Sequence, residues 1–185
     1  YWFELSIARK SGPSESIQRF IALSRDITER KQAEALSHHL AYFDALTQLP
    51  NRRMLLDRTE QAVGGARKSG QIGALLFVDL DNFKQINDAR GHAVGDIMLK
   101  QVAQRLLGLQ RPGDTVARFG GDEFVVLIED ITSPTHASEV AQELADALTQ
   151  PFLLPAGKEV YLTVSIGLAG ATDHRTGDSW LRDAD

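Results

Sequence analysis

The sequence predicts an α+β fold, and three observations predict it. Two short apolar runs, 115–119 and 124–128, flank Gly120-Gly121-Asp122-Glu123, which reads as a tight β-hairpin because glycine reaches positive φ without steric cost. A third apolar run, 72–78, has strand length and ends in carboxylates at Asp79 and Asp81. Segments of helical period at 51–68, 83–89, 94–109 and 135–150 surround these strands. Helices flanking a hairpin-rich sheet bury both sets of apolar side chains as an α+β sandwich.

The chain begins with a rough alternation over 1–8, with Trp2, Phe3, Leu5 and Ile7 apolar. Gly12-Pro13-Ser14 marks a turn and 17–23 is a second apolar run, so this is a hairpin, too small to form a domain alone. From Asp26 the period changes. Asp26 and Glu29 have the spacing of a capping box. Ala33, Leu36, Leu40 and Phe43 then recur at intervals of three, four and three, flanked by Glu29, Arg30, Lys31 and Glu34. That pattern fits either a short coiled-coil seam or an amphipathic linker helix lying on its own domain.

The helix over 51–68 precedes the strand over 72–79. Asp81 stands just before the 83–89 helix, where a carboxylate caps free N–H groups. Pro112-Gly113 separates the 94–109 helix from the strand over 114–119. The strand over 123–129 follows, and Pro134 opens the next helix, where a missing N–H matters least. A strand is expected over 158–167, and residues 179–185 form about one turn of a further helix.

Bulk properties narrow the function. The 185 residues are 43% hydrophobic and 24% charged, as in an ordinary globular chain. There is no cysteine, so disulfides and thiolate metal sites are excluded. No apolar run approaches the ~20 residues of a membrane-spanning helix, and nothing at the start resembles a signal peptide. Residues 1–43 carry six Lys/Arg against five Asp/Glu, while 44–185 carry fourteen against twenty. A domain of net charge −6 is a poor partner for nucleic acid, which binds through phosphate neutralisation. It can still take a nucleotide locally, because carboxylates at two strand ends can converge on hard divalent cations.

Five ordered motifs resemble the GGDEF family of diguanylate cyclases: Asp44-Ala45-Leu46-Thr47-Gln48-Leu49-Pro50-Asn51-Arg52; Asp79-Leu80-Asp81-Asn82-Phe83-Lys84 through Asn87-Asp88; Gly91-His92 with Gly95-Asp96; Arg111 with Asp114; and Gly120-Gly121-Asp122-Glu123-Phe124. Gln48 stands where many members have glycine. The resemblance covers 44–185 and implies a palm-like nucleotide-cyclase fold that joins two GTP molecules into cyclic di-GMP. It implies Mg²⁺ or Mn²⁺ held by Asp79, the Leu80 carbonyl, Asp122 and Glu123, with Asp122 either accepting the proton of the attacking hydroxyl or acting through the metal it holds. Asn87 and Asp96 are implied as guanine contacts, and His92 and Lys84 as neighbours of the substrate, while Phe83 packs near either the substrate or the core. Arg111 and Asp114 are implied as an inhibitory site for cyclic di-GMP, and Arg118 as structural. A homodimer is implied, since each domain carries one GTP.

Residues 1–27 resemble the last two strands of a PAS sensor domain, Asp26-Ile27-Thr28 its closing motif, and 28–43 the linker helix to the cyclase. The resemblance further implies a cytoplasmic location, free or as part of a larger membrane-associated sensor. In the family the helix begun at 179–185 continues and supplies a Lys and an Arg for the GTP phosphates, and neither falls within residues 1–185. Tyr42-Phe43-Asp44-Ala45-Leu46-Thr47 also resembles proteins in which an EAL phosphodiesterase domain follows, which leaves a regulatory nucleotide-binding domain as the alternative.

Overall fold

A computed structural model describes residues 1–10, 19–69, 72–131, 133–170 and 176–185. The turn expected at Gly12-Pro13-Ser14 and the start of the run at Ile17 lie outside them. The chain divides into two units, Tyr1–Ala41 and Tyr42–Asp185.

In the first unit, β1 (Phe3–Lys10) and β2 (Arg19–Asp26) pair antiparallel, from Phe3 opposite Asp26 to Lys10 opposite Arg19. Helix α1 (Thr28–Tyr42) follows. Its start is fixed by two bonds: Thr28 N–H donates to Asp26 Oδ1 at 2.9 Å, and Trp2 N–H donates to Thr28 Oγ1 at 2.9 Å. Trp2, Phe3, Leu5, Ile7 and Leu23 are all exposed, and no residue of α1 is buried. Phe43, expected to extend the apolar stripe, lies past the end of α1 and bridges Pro50 instead.

The second unit is built on a four-stranded antiparallel sheet in the order β4-β5-β3-β8. Along the chain come α2 (Arg52–Ser69), β3 (Ile72–Leu80), α3 (Phe83–Arg90) and α4 (His92–Leu109). Then follow β4 (Thr115–Gly120), β5 (Glu123–Ile131) and α5 (Pro134–Thr149), with Pro134 in the first turn and Ser133 Oγ accepting from His136 N–H. The chain finishes with β6 (Phe152–Leu153), β7 (Glu159–Val160), β8 (Val164–Gly170) and α6 (Gly177–Ala184).

Strand alternation sorts the core onto two faces. Ala74, Leu76, Val78, Phe124, Val126 and Ile128 join one cluster with Met98, Val102 and Leu106 of α4 and Ala137, Leu144 and Leu148 of α5. Leu75, Phe77, Val125 and Leu127 join the other with Leu55 and Val63 of α2 and Trp180, Leu181 and Ala184 of α6. Trp180 is fully buried and donates its indole N–H to Ala169 O at 2.9 Å, so its polar atom is satisfied. Covering both faces explains why β3 reads as a continuous apolar run.

The expected strand over 158–167 is two strands. Glu159–Val160 closes a small hairpin with Phe152–Leu153, and Val164–Gly170 joins β3. The break is held by Thr163 O, which accepts from Asp81 N–H at 3.0 Å rather than entering a ladder. The last helix is also longer than one turn. Thr176 caps it in a reciprocal box with Ser179, and Gly167 leaves no Cβ to collide with the carbonyl of Ala184 as α6 crosses β8. Arg105 of α4 ends α5: it donates to the carbonyls of Ala147 (3.0 Å), Gln150 (2.6 Å) and Pro151, and lies 3.7 Å over the Phe152 ring. A cation there offsets the free carbonyls at the helix end.

Candidate functional site

The signature hairpin is tighter than its two glycines suggest. Gly120 is the last residue of β4 and pairs with Glu123. The turn is therefore Gly121-Asp122, with only Gly121 at positive φ (44°). A register shift between Arg118 and Gly120 leaves Phe119 as a bulge. Asp122 consequently sits in the turn itself.

This hairpin brings the carboxylates together. Asp79 pairs across the sheet with Glu123, and Leu80 N–H donates to Asp122 O at 3.3 Å. Burial, then the charges of Asp122, Asp81 and Asp185, push the Asp79 carboxyl up. Burial, then Asp185, Asp79 and Asp122, do the same for Glu123, opposed by Arg52. Mutual repulsion of this kind is what a bound cation relieves. Among the described residues no three His, Cys, Asp or Glu side chains are grouped closely enough to enclose a metal. The donor set suits Mg²⁺ all the same, because that ion is held by one or two carboxylates and completes its shell with water and substrate phosphates. Asp185 and Arg52 were not legible as site residues. Asp185 directly follows α6, and the packing of that helix against β8 brings its charge within reach of Glu123.

Asp81 does not cap α3. The cap position is Asn82, in the left-handed conformation (φ 57°) with no side-chain cap bond, while Asp81 Oδ1 accepts from Ser165 Oγ at 2.8 Å. Phe83 belongs to the core: it is 6% exposed, and its ring lies beneath Gly95, where any Cβ would meet it. Lys84, His92 and Asp96 are exposed.

Asn87 projects from α3 toward α4, and a side chain at Gly95 would collide with its Oδ1. That oxygen is buried and has no hydrogen-bond partner. Among the described residues the other buried side-chain atom without a partner is His136 Nδ1. Buried polar atoms in this condition call for a reason, since each costs about 1–3 kcal/mol.

His136 stands beside the Arg111 and Asp114 pair. Arg111 Nη1 meets His136 Nε2, Arg111 Nη2 lies 3.9 Å from Glu143 Oε2, and Arg111 N–H donates to Asp114 Oδ2 at 3.2 Å. Burial pushes the Asp114 carboxyl up, against the bond from the Arg111 backbone and the charge of Arg111. On the far side of the hairpin, Arg118 pairs with Asp44 at 3.0 Å and donates to Gly121 O at 2.7 Å. A cavity of about 530 Å³ opens there, lined by Arg52, Arg53, Arg118 and Gly121 among others.

Residues 41–185 match the family described as "Diguanylate cyclase, GGDEF domain". The chain belongs to the GGDEF family. The GGDEF relatives include the bifunctional diguanylate cyclase/cyclic di-GMP phosphodiesterase MucR of Pseudomonas aeruginosa, 47% identical over 130 residues, which are 70% of this chain and 19% of that protein. The diguanylate cyclase TpbB of the same organism is 37% identical over 184 residues, 98% of this chain and 42% of that protein. The chain thus spans less than half the length of either relative. The solved GGDEF domain of TpbB superimposes with a TM-score of 0.74 at 40% identity, covering 77% of this chain and 84% of that one. The GGDEF domain of DgcB from Caulobacter crescentus, solved in complex with c-di-GMP, gives 0.72 at 28% identity, covering 78% and 84%. These neighbours bear out the α+β GGDEF fold.

Proposed function

We propose that this domain is a diguanylate cyclase that condenses two GTP molecules into cyclic di-GMP and pyrophosphate. The observation that carries the reading is the pairing of Asp79 with Glu123 beneath the Gly121-Asp122 turn, which gathers hard oxygen donors at one end of the sheet's two central strands. Asp79, the Leu80 carbonyl, Asp122 and Glu123 would hold Mg²⁺ or Mn²⁺. Bound there, the ion neutralises phosphate charge and lowers the pKa of the attacking hydroxyl. The 3′-oxygen of each GTP bonds to the α-phosphorus of the other, the two bonds to pyrophosphate break so that two pyrophosphates leave, and Asp122 of each domain takes the proton of its attacking hydroxyl. Asn87 and Asp96 accept from guanine N1–H and N2–H₂, and the orphaned Asn87 Oδ1 supports this assignment. Lys84 and His92 lie near the nucleotide. Alignment of two substrates requires two domains face to face.

Arg111 and Asp114 form the product-inhibition site, where Arg111 stacks on guanine and forks to its edge. The hairpin of the first unit is the end of a PAS sensor, and its exposed Trp2, Phe3, Leu5 and Ile7 fit a surface that more of that sensor covers. The second reading, a nucleotide-binding domain regulating an EAL phosphodiesterase, is favoured by the bifunctional name of one relative. The intact Gly-Gly-Asp-Glu-Phe favours the first.

GTP turnover by the complete chain with Mg²⁺ decides between them. Asp122→Asn should keep the fold and lower cyclic di-GMP formation by about 10²-fold or more. Turnover of the folded variant within threefold of wild type removes Asp122 from the mechanism. A wild-type protein that binds GTP without turnover supports the regulatory reading.

A further inference from the structure

Strand β3 delivers two carboxylates two residues apart, Asp79 and Asp81. Positions i and i+2 of a strand share a face, so the sequence pattern alone sends both toward the same side of the sheet. The structure keeps them close enough for the charge of Asp81 to act on Asp79 but gives them different partners. Asp79 is still paired, with Glu123 on one side and Ser165 on the other. Asp81 lies just past the end of β3 at Leu80, and two bonds tie it to β8 and the residues before it. Its N–H donates to Thr163 O at 3.0 Å, and its Oδ1 accepts from Ser165 Oγ at 2.8 Å. Asp81 accordingly lines a cavity of about 720 Å³ between α3 and residues 159–163, together with Asn82, Gln85, Tyr161 and Thr163.

Ser165 therefore touches both halves of the acidic turn: it is the cross-strand neighbour of Asp79 and the side-chain partner of Asp81. Backbone bonds fix the rest of the turn, but α3 begins at a left-handed Asn82 without a side-chain cap, and the hydroxyl of Ser165 is the partner of the Asp81 carboxylate. We propose that Ser165 is a positioning residue of the metal centre, holding Asp81 against β8 so that the cation meets Asp79 and the hairpin carboxylates but not Asp81. This rests on the metal-centre reading above. Without the hydroxyl, Asp81 is free to swing toward Asp79 and add a negative charge beside the cation. The ion should then bind more tightly, while the 80–82 backbone leaves the position that the reaction requires. Tighter binding with slower turnover is a signature that simple loss of structure does not give.

The experiment measures Mn²⁺ binding by titration calorimetry and GTP turnover on the full chain. The proteins are wild type, Ser165→Ala, Ser165→Thr, Asp81→Asn, the Ser165→Ala/Asp81→Asn double variant and Asp79→Asn, with thermal unfolding as the folding control. Asp79→Asn should remove Mn²⁺ binding. Ser165→Ala should tighten it by about threefold or more, the scale of coupling between contacting polar groups, and slow turnover by about tenfold, as loss of a group supporting a metal ligand does. Ser165→Thr, which keeps the hydroxyl, should behave as wild type. In the Asp81→Asn background Ser165→Ala should add no tightening. Equal effects of Ser165→Ala with and without the Asp81 carboxylate, or no effect while Asp79→Asn removes binding, overturn the role of Ser165 alone. Mn²⁺ binding that survives Asp79→Asn unchanged overturns the metal-centre reading and this role with it.

Discussion

At the scale of single residues, Asp44 shows how a loop carboxylate acts on the site from outside it. Burial works to raise its pKa, but bonds from the Thr47 hydroxyl and N–H, at 2.7 and 2.8 Å, and the Arg118 pairing outweigh this and hold it below the usual range. The pair is only 13% and 24% exposed, so it exceeds a surface ion pair of under about 1 kcal/mol. Arg118 in turn grips the Gly121 carbonyl, which makes Asp44 a support for the signature turn. Asp44→Asn should cost about 1–3 kcal/mol at pH 7, as expected for a lost charge-assisted bond. Because the folded pKa is depressed, this stability is complete above the unfolded value of about 3.9 and disappears as pH falls through the lower folded value. Urea unfolding of both proteins at pH 7 and at the acid end checks this. A gap between them that does not narrow in acid would show that Asp44 supports the turn by something other than its charge.

At the scale of elements, α1 is the helix whose apolar stripe has no buried residue. Leu36 and Leu40 are each 59% exposed, beside the surface pairs Arg30–Glu34 and Lys31–Glu34. Two leucines one helical turn apart suit a seam with a second copy, which the proposed two-domain reaction needs. Leu36→Glu with Leu40→Glu would put carboxylates into that seam, a costly burial. Dimerisation, followed by sedimentation, and specific activity should fall together by about tenfold or more, equivalent to ~1.4 kcal/mol. An unchanged dimer would assign the stripe to a contact within the chain. The contrast with α2, α4, α5 and α6 is instructive. Each of those carries residues of the two core clusters, and each was readable from its period, except that α6 had too few residues in the expected frame.

At the scale of the whole second unit, the proposed reacting site and the proposed product site stand at opposite ends of β4. Six residues, Thr115–Gly120, span about 20 Å at the usual strand rise. Arg111 therefore lies far from Asp122 and faces α5, where His136 and Glu143 already engage it. Arg111→Ala should leave the initial rate of GTP turnover largely intact while weakening inhibition by added cyclic di-GMP about tenfold or more, within the usual range of coupling between sites. Superimposable inhibition curves for the two proteins would reduce Arg111-Pro112-Gly113-Asp114 to a turn.

What the sequence determined by itself is local. Period and punctuation located the hairpin, the helices α2 to α5 and the acidic strand ends, because burial on a strand or helix face imposes its spacing on the chain. The five motifs carry the proposed site residues Asp79, Asp122, Asn87, Asp96 and Arg111. Tertiary structure decided what depends on neighbours distant in sequence. It moved Gly120 into β4 because Glu123 is there to pair with it. It split the run over 158–167 because Thr163 O answers Asp81 N–H. It gave Asp81 to Ser165, 84 residues away, although spacing suggested a helix cap. It buried Phe83 under Gly95, and it brought the charge of Asp185 within reach of Glu123 on the packing of α6. A side chain's partner is set by which surfaces the fold brings together, and the residue type alone does not encode it.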